Sequence, residues 1–177
     1  MADDNTNFNR NGAGNGIPGA PNPNAAQGQK PSMRVLAQYL KDLSFENPNA
    51  PQSLSGQATQ PKIDISVNVN AKNLTPTDYE VEIHIEVKAS GADAIVFQAE
   101  MLYAGVFRLE NIPQEMLHPV VLIECPRMLF PFARQILSDA TRNGGFPPLM
   151  LDPIDFAAMY QQRSEQMRPA EGNFQQA

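Results

Sequence analysis

The stretch DYEVEIHIEVKA, residues 78–89, alternates polar and apolar side chains without interruption. This two-residue period predicts a half-buried β-strand, because successive side chains leave a sheet on opposite faces. The apolar side must then be covered by other elements of the fold. Four of the six polar residues are carboxylates, so the polar side is either an ordinary solvated surface or a surface that attracts a basic partner.

Three other segments are predicted as strands. Residues 62–70 (KIDISVNVN) and 95–110 (IVFQAEMLYAGVFRLE) place apolar side chains on one face in the same way. Residues 34–51 (RVLAQYLKDLSFENPNAP) end in a proline-bounded tract and predict a strand followed by a long loop at 47–61. Gly105 interrupts the apolar row of its strand, which predicts a bulge or bend at that position.

The apolar period becomes helical in the second half of the chain. An amphipathic helix is predicted from the spacing i, i+3, i+4, i+7, i+8 and i+11 of Leu129, Phe132, Ala133, Ile136, Leu137 and Ala140. Glycines at 144 and 145 end this helix. A second helix is predicted to begin with Asp152 as its N-cap and Pro153 in its first turn. The stretch PVVLIECPRMLF, residues 119–130, is compatible with strand or helix by periodicity alone.

The order of the elements predicts the fold class and the domain limits. Strands that precede helices predict an α+β fold, an antiparallel sheet with helices packed on one face. Residues 1–32 contain seven Asn, five Gly and four Pro and bury too little apolar surface to offset the entropy of ordering, so they predict a disordered leader. The folded domain is predicted at 33–163. Residues 164–177 are predicted as a mobile C-terminal tail.

Charge and hydropathy limit the classes of partner. The formal net charge of -6 argues against nucleic acid as a ligand. No uninterrupted apolar run approaches the roughly 18 to 20 residues of a membrane span, which argues against direct membrane insertion. The single cysteine, Cys125, forbids an internal disulfide and fits a reducing compartment, so we expect a cytoplasmic location.

The cysteine and histidine residues do not show the spacing of a known catalytic or metal-binding motif. Cys125 is the one candidate thiol nucleophile, and His84 and His118 lie on other elements. None of these residues has the spacing of a metal site, and the G-x-G-x-x-G match at 14–19 falls in the leader instead of between a strand and a helix. We therefore expect no enzymatic activity, cofactor or metal. An enzyme or small-ligand protein that uses Cys125 or an apolar pocket is the alternative from another class.

The segment FPPLMLDP, residues 146–153, is apolar although Pro147 and Pro148 keep it out of regular structure. An apolar loop either packs under another element or is offered to a ligand. Methionine and aromatic side chains are typical of adaptable binding surfaces. The chain carries an excess of such apolar residues at Met101, Tyr103, Phe107, Phe146, Leu149, Met150, Leu151, Phe156, Met159 and Tyr160.

Five phrases together resemble the SecB family of bacterial protein-export chaperones. They are KDLSFENPNAP (41–51), DYEVEIHIEV (78–87), AGVFRLENI (104–112), ECPRMLFPFAR (124–134) and GGFPPLMLDPIDFAAMY (144–160). The resemblance covers residues 34–163 in one order. It implies a four-stranded antiparallel sheet per subunit with helices on one side, a helix for the ambiguous PVVLIECP, and a homotetramer built as a dimer of dimers.

The resemblance also implies a function. Family members hold unfolded precursor proteins without ATP, in extended form along apolar grooves, and deliver them to SecA, the motor ATPase of the secretion channel. Asp42, Glu46 and Glu100 match the acidic positions with which the family docks the motor. The remaining strand carboxylates, Glu80, Glu82 and Glu86, are expected to add to the electric field without making contacts. A same-fold chaperone dedicated to a single client, such as an antitoxin, is the alternative.

The expected client-binding residues are Leu54, Met101, Tyr103, Phe107, Phe146, Leu149, Leu151, Phe156 and Tyr160. The expected contacts between subunits are Ala99, Leu129, Phe132 and Ile136, with the helix at 127–142 forming the interface between dimers. The chain departs from the family pattern in three respects. It has no Trp in the loop after the PNAP tract, it has Ala99 where other members have Cys, and its leader has no counterpart.

Overall fold

The computed structural model describes residues 30–55, 60–92 and 94–167. Its strands are β1 (Ser32–Glu46), β2 (Lys62–Asn73), β3 (Asp78–Ser90) and β4 (Ile95–Glu110). Its helical elements are a 3-10 turn (Gln52–Leu54), α1 (Gln114–Pro119), a π-helical segment (Val120–Glu124), α2 (Cys125–Asn143) and α3 (Phe156–Met167). The α+β class with a four-stranded antiparallel sheet is confirmed. Most of the predicted leader and the residues after 167 lie outside the described residues.

The strands follow the order β1-β4-β3-β2, and every neighbouring pair is antiparallel. β3 and β4 therefore occupy the centre of the sheet. Their pairing sets Ile85 opposite Met101 and Glu86 opposite Glu100. We name the side of Ile85 and Met101 the inner face, because these residues join the hydrophobic core with α2, and we name the opposite side the outer face.

The core lies between the inner face and α2. Val81, Ile83 and Ile85 of β3 are completely buried, and so are Leu129 and Leu137 of α2. Complete burial of one such side chain stabilises the fold by about 1.5–3 kcal/mol relative to exposure. The alternating pattern of β3 thus determines which side of the sheet the helices cover.

Gly105 lets α2 approach β4 closely. A Cβ atom built at Gly105 would lie 2.6 Å from Cδ2 of Leu129 and 3.0 Å from the ring of Phe107. Carbon atoms pack favourably at about 3.5–4.0 Å, so any side chain at this position forces its neighbours to move. The interruption of the apolar row at Gly105 therefore reflects contact with the helix.

Two bulges occur on β1, and the pairing of β4 with β3 shifts once near the start of β4, where Val96 is the extra residue. The pairing of β1 with β4 shifts at two points, where Leu36 and Lys41 are the extra residues. Each extra residue reverses the sides to which the following side chains point. The bulge predicted at Gly105 is not present, because the pairing of β4 with both neighbours continues through this residue without a shift.

Residues 114–143 form one continuous helix, which includes the stretch that periodicity leaves ambiguous. PVVLIECP is therefore helical, as the family resemblance implies. By length and apolar composition this helix of 30 residues could cross a membrane. Its apolar side nevertheless packs against the sheet, with Leu129, Ala133 and Leu137 fully buried, and core helices of compact domains share this length and composition.

The last helix, α3, begins later than predicted. Its first residue is Phe156, and the carboxylate of Asp155 accepts the backbone N–H of Ala158 at 2.9 Å. Asp155, and not the predicted Asp152, is therefore the capping residue. The helix continues to Met167, past the predicted domain limit at residue 163.

Candidate docking face and client surface

The register of the sheet brings the three predicted docking carboxylates onto the outer face. Glu100 of β4 pairs with Ser44 on one side and with Glu86 on the other. Asp42 and Glu46 lie two positions either side of Ser44, beyond the second bulge, so they point to the same face as Glu100. We name Asp42, Glu46, Glu86 and Glu100 the docking half of the outer face.

Two other carboxylates of the outer face already have partners. Nζ of Lys41 forms ion pairs with Glu80, at 3.1 Å, and with Glu82, and the hydroxyl of Tyr39 donates a hydrogen bond to Glu80. The bond from Tyr39 lowers the pKa of Glu80, and the bond to Glu82 raises the pKa of Lys41. We name these four residues the paired half. Its cation is Lys41, the extra residue of the second bulge.

The docking half has no comparable ion pair among the described residues, although Lys88 lies two residues from Glu86 on the same face. The side chains of Glu86 and Glu100 are 56% exposed, and across residues 30–55, 60–92 and 94–167 neither forms an ion pair with a lysine or arginine. Glu46 accepts a hydrogen bond from the amide of Gln98, and Nε2 of His84 lies 2.8 Å from Oε1 of Glu100. The sequence pattern does not distinguish these carboxylates, but the structure does: one group is ion-paired with Lys41, and the other forms no ion pair with a lysine or arginine of the described chain.

Asp78, the first carboxylate of the alternating stretch, is structural. Its two oxygens accept hydrogen bonds from Nε and Nη2 of Arg108 at 2.7 and 2.8 Å. These bonds lower the pKa of Asp78 and raise that of Arg108. The side-chain oxygen of Thr75 also accepts the backbone N–H of Asp78, at 3.0 Å. The pair therefore fixes the start of β3 against β4.

Most of the predicted client-binding residues lie in the core. Those that are buried are Met101, Tyr103, Phe107, Leu149, Leu151 and Phe156. Phe107 and Met101 have no exposed surface at all. Such residues support the inner face and contact a client only if the domain rearranges, whereas Leu54, Phe146 and Tyr160 retain exposed surface.

Leu54 and Phe146 lie at one end of the inner face. The ring of Phe146 lies 4.9 Å from that of Phe97 and 6.3 Å from that of Phe45, measured between centroids. Leu54 is 46% exposed and packs over Gly145, whose φ of 88° is in the left-handed region that favours glycine. The glycine pair that ends α2 therefore brings the loop after β1 next to an aromatic cluster.

Tyr160 lines a separate groove between β2, α1 and α3. Its hydroxyl lies 2.9 Å from Nδ1 of His118, and the two ring centroids are 5.3 Å apart. The groove has a volume of about 850 Å³, within the range of small-molecule and peptide sites. Its walls combine apolar and amide side chains, including Ala71, Leu117, Val121 and Leu122 with Asn70 and Asn73.

The apolar segment after α2 is mostly packed under the fold. Leu149 and Leu151 are buried, whereas Met150 between them is 70% exposed. The buried hydroxyl of Thr141 donates to the carbonyl of Leu137 at 3.1 Å and accepts the backbone N–H of Leu149 at 2.9 Å. Leu149 and Leu151 therefore pack under other elements of the fold, whereas Met150 is accessible to a ligand.

The predicted subunit contacts differ in exposure. Ala99 and Leu129 are buried within the chain, Ile136 is half-buried, and Phe132 is 53% exposed. The sequence pattern misses further exposed apolar residues on β1 and α2, namely Leu36, Leu40, Leu43 and Met128. The two bulges break the alternation of β1, so a simple two-residue period could not assign these leucines to a face.

Cys125 is a buried thiol. Burial raises its pKa to about 12, and its sulfur lies 3.7 Å from the sulfur of Met33. A cysteine nucleophile requires an accessible thiolate at neutral pH. The alternative of a cysteine enzyme therefore gains no support from this site.

Comparison with known proteins identifies the family. A family profile described as preprotein translocase subunit SecB matches residues 26–167. The protein-export protein SecB of Rhodopseudomonas palustris (strain BisB18) is 56% identical over 164 residues, which cover 93% of this chain and 96% of the relative. The corresponding protein of Bradyrhizobium diazoefficiens is 54% identical over 164 residues, with coverages of 93% and 98%. That of Afipia carboxidovorans is 58% identical over 147 residues, with coverages of 81% and 91%.

A solved structure shares the fold at lower identity. The SecB-like chaperone of Mycobacterium tuberculosis, in complex with an antitoxin peptide, is 21% identical, with a TM-score of 0.53, and the match covers 69% of this chain and 90% of that chain. This similarity supports the architecture alone. The family profile spans the sheet, α1, α2 and the whole of α3, the curated relatives cover 81–93% of the chain, and the chain accordingly belongs to the SecB family of protein-export chaperones.

Proposed function

We propose that the protein is an ATP-independent holdase that keeps precursor proteins unfolded in the cytoplasm and delivers them, as a homotetramer, to the SecA motor ATPase. SecA docking is supported by the docking half of the outer face, whose exposed Glu86 and Glu100 form no ion pair with a lysine or arginine of the described chain. Its carboxylates lie away from the core, so a partner can reach them without disturbing the fold. Relatives named protein-export protein SecB, at 54–58% identity, support export rather than a single dedicated client.

The docking half suits a basic partner. Its carboxylates share one face of two central strands and one edge strand, and the paired half places Lys41 on the other carboxylates only. A surface of one charge sign raises the association rate with an oppositely charged partner, and added salt screens this effect. Motor binding is therefore expected to weaken as the ionic strength rises.

The client surface requires adaptable contacts. A binder of many unfolded chains cannot depend on one shape, so weak apolar sites distributed over a long surface suit this role. Leu54 with the aromatic cluster, the groove at Tyr160 and the exposed Met150 are three such sites on the described chain. Their separation fits an extended client better than a compact one.

The homotetramer draws support from the exposed apolar residues of β1 and α2. A monomer rarely leaves a large contiguous apolar surface in water. Leu36, Leu40 and Leu43 on the edge strand, with Met128 and Phe132 on α2, are the residues that subunit contacts would cover. Light scattering of the purified protein should give the mass of four subunits.

The docking proposal is tested by charge reversal. The triple variant Asp42→Lys, Glu46→Lys and Glu100→Lys should weaken SecA binding by more than about tenfold, because charge complementarity at an interface becomes repulsion. Affinity for an unfolded precursor should stay within about twofold, since the client sites lie elsewhere. Binding of both partners is measured by isothermal titration at two salt concentrations.

A matched control separates docking from net charge. The variant Glu115→Lys, Asp152→Lys and Glu165→Lys changes the net charge by the same amount at three exposed sites off the outer face. It should bind SecA as the unmodified protein does at equal salt. Equal weakening by the two triple variants would refute the docking half as the binding surface.

The holdase proposal is tested by comparing an unfolded precursor with its folded mature form, without nucleotide. The protein should bind the unfolded form alone, and light scattering should show four subunits in the complex. A panel of unrelated unfolded precursors tests the breadth of binding. Binding to one member of the panel and not to the others would favour the dedicated chaperone.

A further inference from the structure

An imidazole and two carboxylates meet on the outer face where β3 and β4 run side by side. His84 and Glu86 are alternate residues of β3, and Glu86 pairs directly with Glu100 of β4. Nε2 of His84 lies 2.8 Å from Oε1 of Glu100 and 3.7 Å from Oε1 of Glu86. One potential ligand atom from each residue falls within a common distance of 4.8 Å.

The two carboxylates are placed opposite each other, and within residues 30–55, 60–92 and 94–167 neither forms an ion pair with a lysine or arginine. Like charges at directly paired positions of an antiparallel sheet destabilise the pair. Lys41 is engaged with Glu80 and Glu82 in the paired half, and Lys88, which lies two residues from Glu86 on the outer face, forms no ion pair with Glu86 or Glu100. With a neutral imidazole the cluster of His84, Glu86 and Glu100 carries two negative charges, which is the charge that a divalent cation neutralises.

We propose that His84, Glu86 and Glu100 bind a zinc ion on the outer face. Zinc takes imidazole nitrogen and carboxylate oxygen at about 2.0–2.2 Å in a tetrahedral arrangement, which separates its ligand atoms by about 3.3 Å. The distances from Nε2 of 2.8 and 3.7 Å bracket this separation. A small rotation of the two exposed carboxylates completes three positions, and water or a group of a partner takes the fourth.

The choice of zinc follows from the donor set. Imidazole nitrogen suits zinc and its neighbours among the transition metals, whereas magnesium and calcium prefer six or more oxygen ligands. The His84 side chain is 26% exposed and both glutamates are 56% exposed, so an ion enters from solvent without unfolding. The backbone of the site belongs to the two central strands, which hold the ligands in register before the ion binds.

Sequence spacing does not reveal this site. Positions 84, 86 and 100 match none of the local motifs by which zinc sites are recognised, and the sequence predicted no metal. The hairpin register supplies the third ligand, because Glu100 becomes a neighbour only when β4 pairs with β3.

Zinc binding would also alter the docking half. Glu100 is one of the proposed docking carboxylates, and a carboxylate that coordinates an ion is no longer free for a basic partner. This consequence rests on the proposed function, whereas zinc binding itself does not. The first experiment therefore uses the protein without SecA.

The test titrates zinc chloride into the purified full-length protein by calorimetry, with bound metal counted after gel filtration. One zinc ion per chain should bind, and His84→Asn and Glu100→Gln should each weaken binding at least about tenfold. Magnesium should bind at least about a hundredfold more weakly than zinc. Circular dichroism confirms that the variants are folded.

Two control variants identify the ligands. Glu82→Gln changes a carboxylate on the same strand and face, and His118→Asn removes the other histidine; both should bind zinc as the unmodified protein does. Absence of zinc binding at 100-fold excess over protein, equal binding of magnesium, or equal loss in the control and ligand variants would each overturn the proposal. Failure of SecA docking in the earlier experiment would leave this result unaffected.

Discussion

The two faces of the sheet are made from alternate residues of the same strands, yet they contribute to different properties. On β3, Val81, Ile83 and Ile85 are completely buried, while Glu82 and Glu86 face outward. Each buried apolar side chain contributes a few kcal/mol to the free energy of folding, whereas each exposed ion pair contributes little to it. The inner face therefore sets most of the stability of the fold, and the charge pattern of the outer face can vary with little effect on that stability.

The largest expected effect is on the inner face. Phe107→Ala should lower the free energy of unfolding by about 3–5 kcal/mol, because it removes a side chain without exposed surface from the core. Leu54→Ala, at an exposed position, should lower it by less than about 1 kcal/mol. Urea unfolding at one protein concentration measures both. If Phe107→Ala lost client binding at unchanged stability, Phe107 would belong to the client surface and the contrast between core and surface would be wrong.

A smaller effect is expected where the helix meets the sheet. Gly105→Ala should lower the free energy of unfolding by about 1–3 kcal/mol, since the added methyl group collides with Leu129. In the double variant Gly105→Ala/Leu129→Ala, the smaller side chain at position 129 leaves room for the added methyl group. The double variant should therefore be more stable than the sum of the two single effects predicts. Simple additivity in urea unfolding would show that this contact does not limit the approach of α2.

The pair Asp78–Arg108 tests whether an outer-face carboxylate can contribute to folding. Because Arg108 lowers the pKa of Asp78 below its ordinary value of 3.8, the pair stabilises the fold above that pH, and this contribution is lost as the pH falls through the lowered pKa. Asp78→Asn should therefore be less stable at pH 7 and show a weaker loss of stability below about pH 4. Urea unfolding across this range provides the measurement, with Glu115→Gln as control. An unchanged acid dependence in Asp78→Asn would exclude the pair as its source.

The smallest effect concerns a single pKa in the paired half. Tyr39→Phe should raise the pKa of Glu80, because the hydrogen bond from Tyr39 is the largest cause of its lowering. Carbon-detected NMR of the glutamate carboxyl groups follows the titration. An unchanged pKa of Glu80 in Tyr39→Phe would mean that the ion pair with Lys41, and not the hydroxyl, controls Glu80.

Sequence alone predicts the parts of the fold that follow local periods. The alternation of β2, β3 and β4 and the helical spacing after residue 126 are enough for these elements, and the family resemblance supplied the helix at 119–126. The cap of α3 was misplaced because Asp152 and Asp155 both precede a helix-compatible stretch, and only the backbone shows that Asp155 accepts the N–H of Ala158.

The division of the outer face depends on contacts between distant residues. Nothing near Glu80 or Glu82 in sequence indicates that Lys41 reaches them across the sheet. The same holds for the proximity of His84 and Glu100, which depends on register. Burial of the expected client residues Met101 and Phe107 likewise requires the packing of α2 on the sheet.

The two bulges of β1 act together like a pair of compensating frameshifts. The first, at Leu36, inverts the sides of the strand, and the second, at Lys41, restores them before Asp42 and Glu46. Loss of one residue between the two bulges, with both bulges kept, would move Asp42 from Leu102 to the neighbouring position opposite Tyr103 and turn both proposed docking carboxylates toward the core without changing their identity. Insertions and deletions in this short segment are therefore far more damaging than substitutions, and its length is a constraint on the evolution of the chaperone.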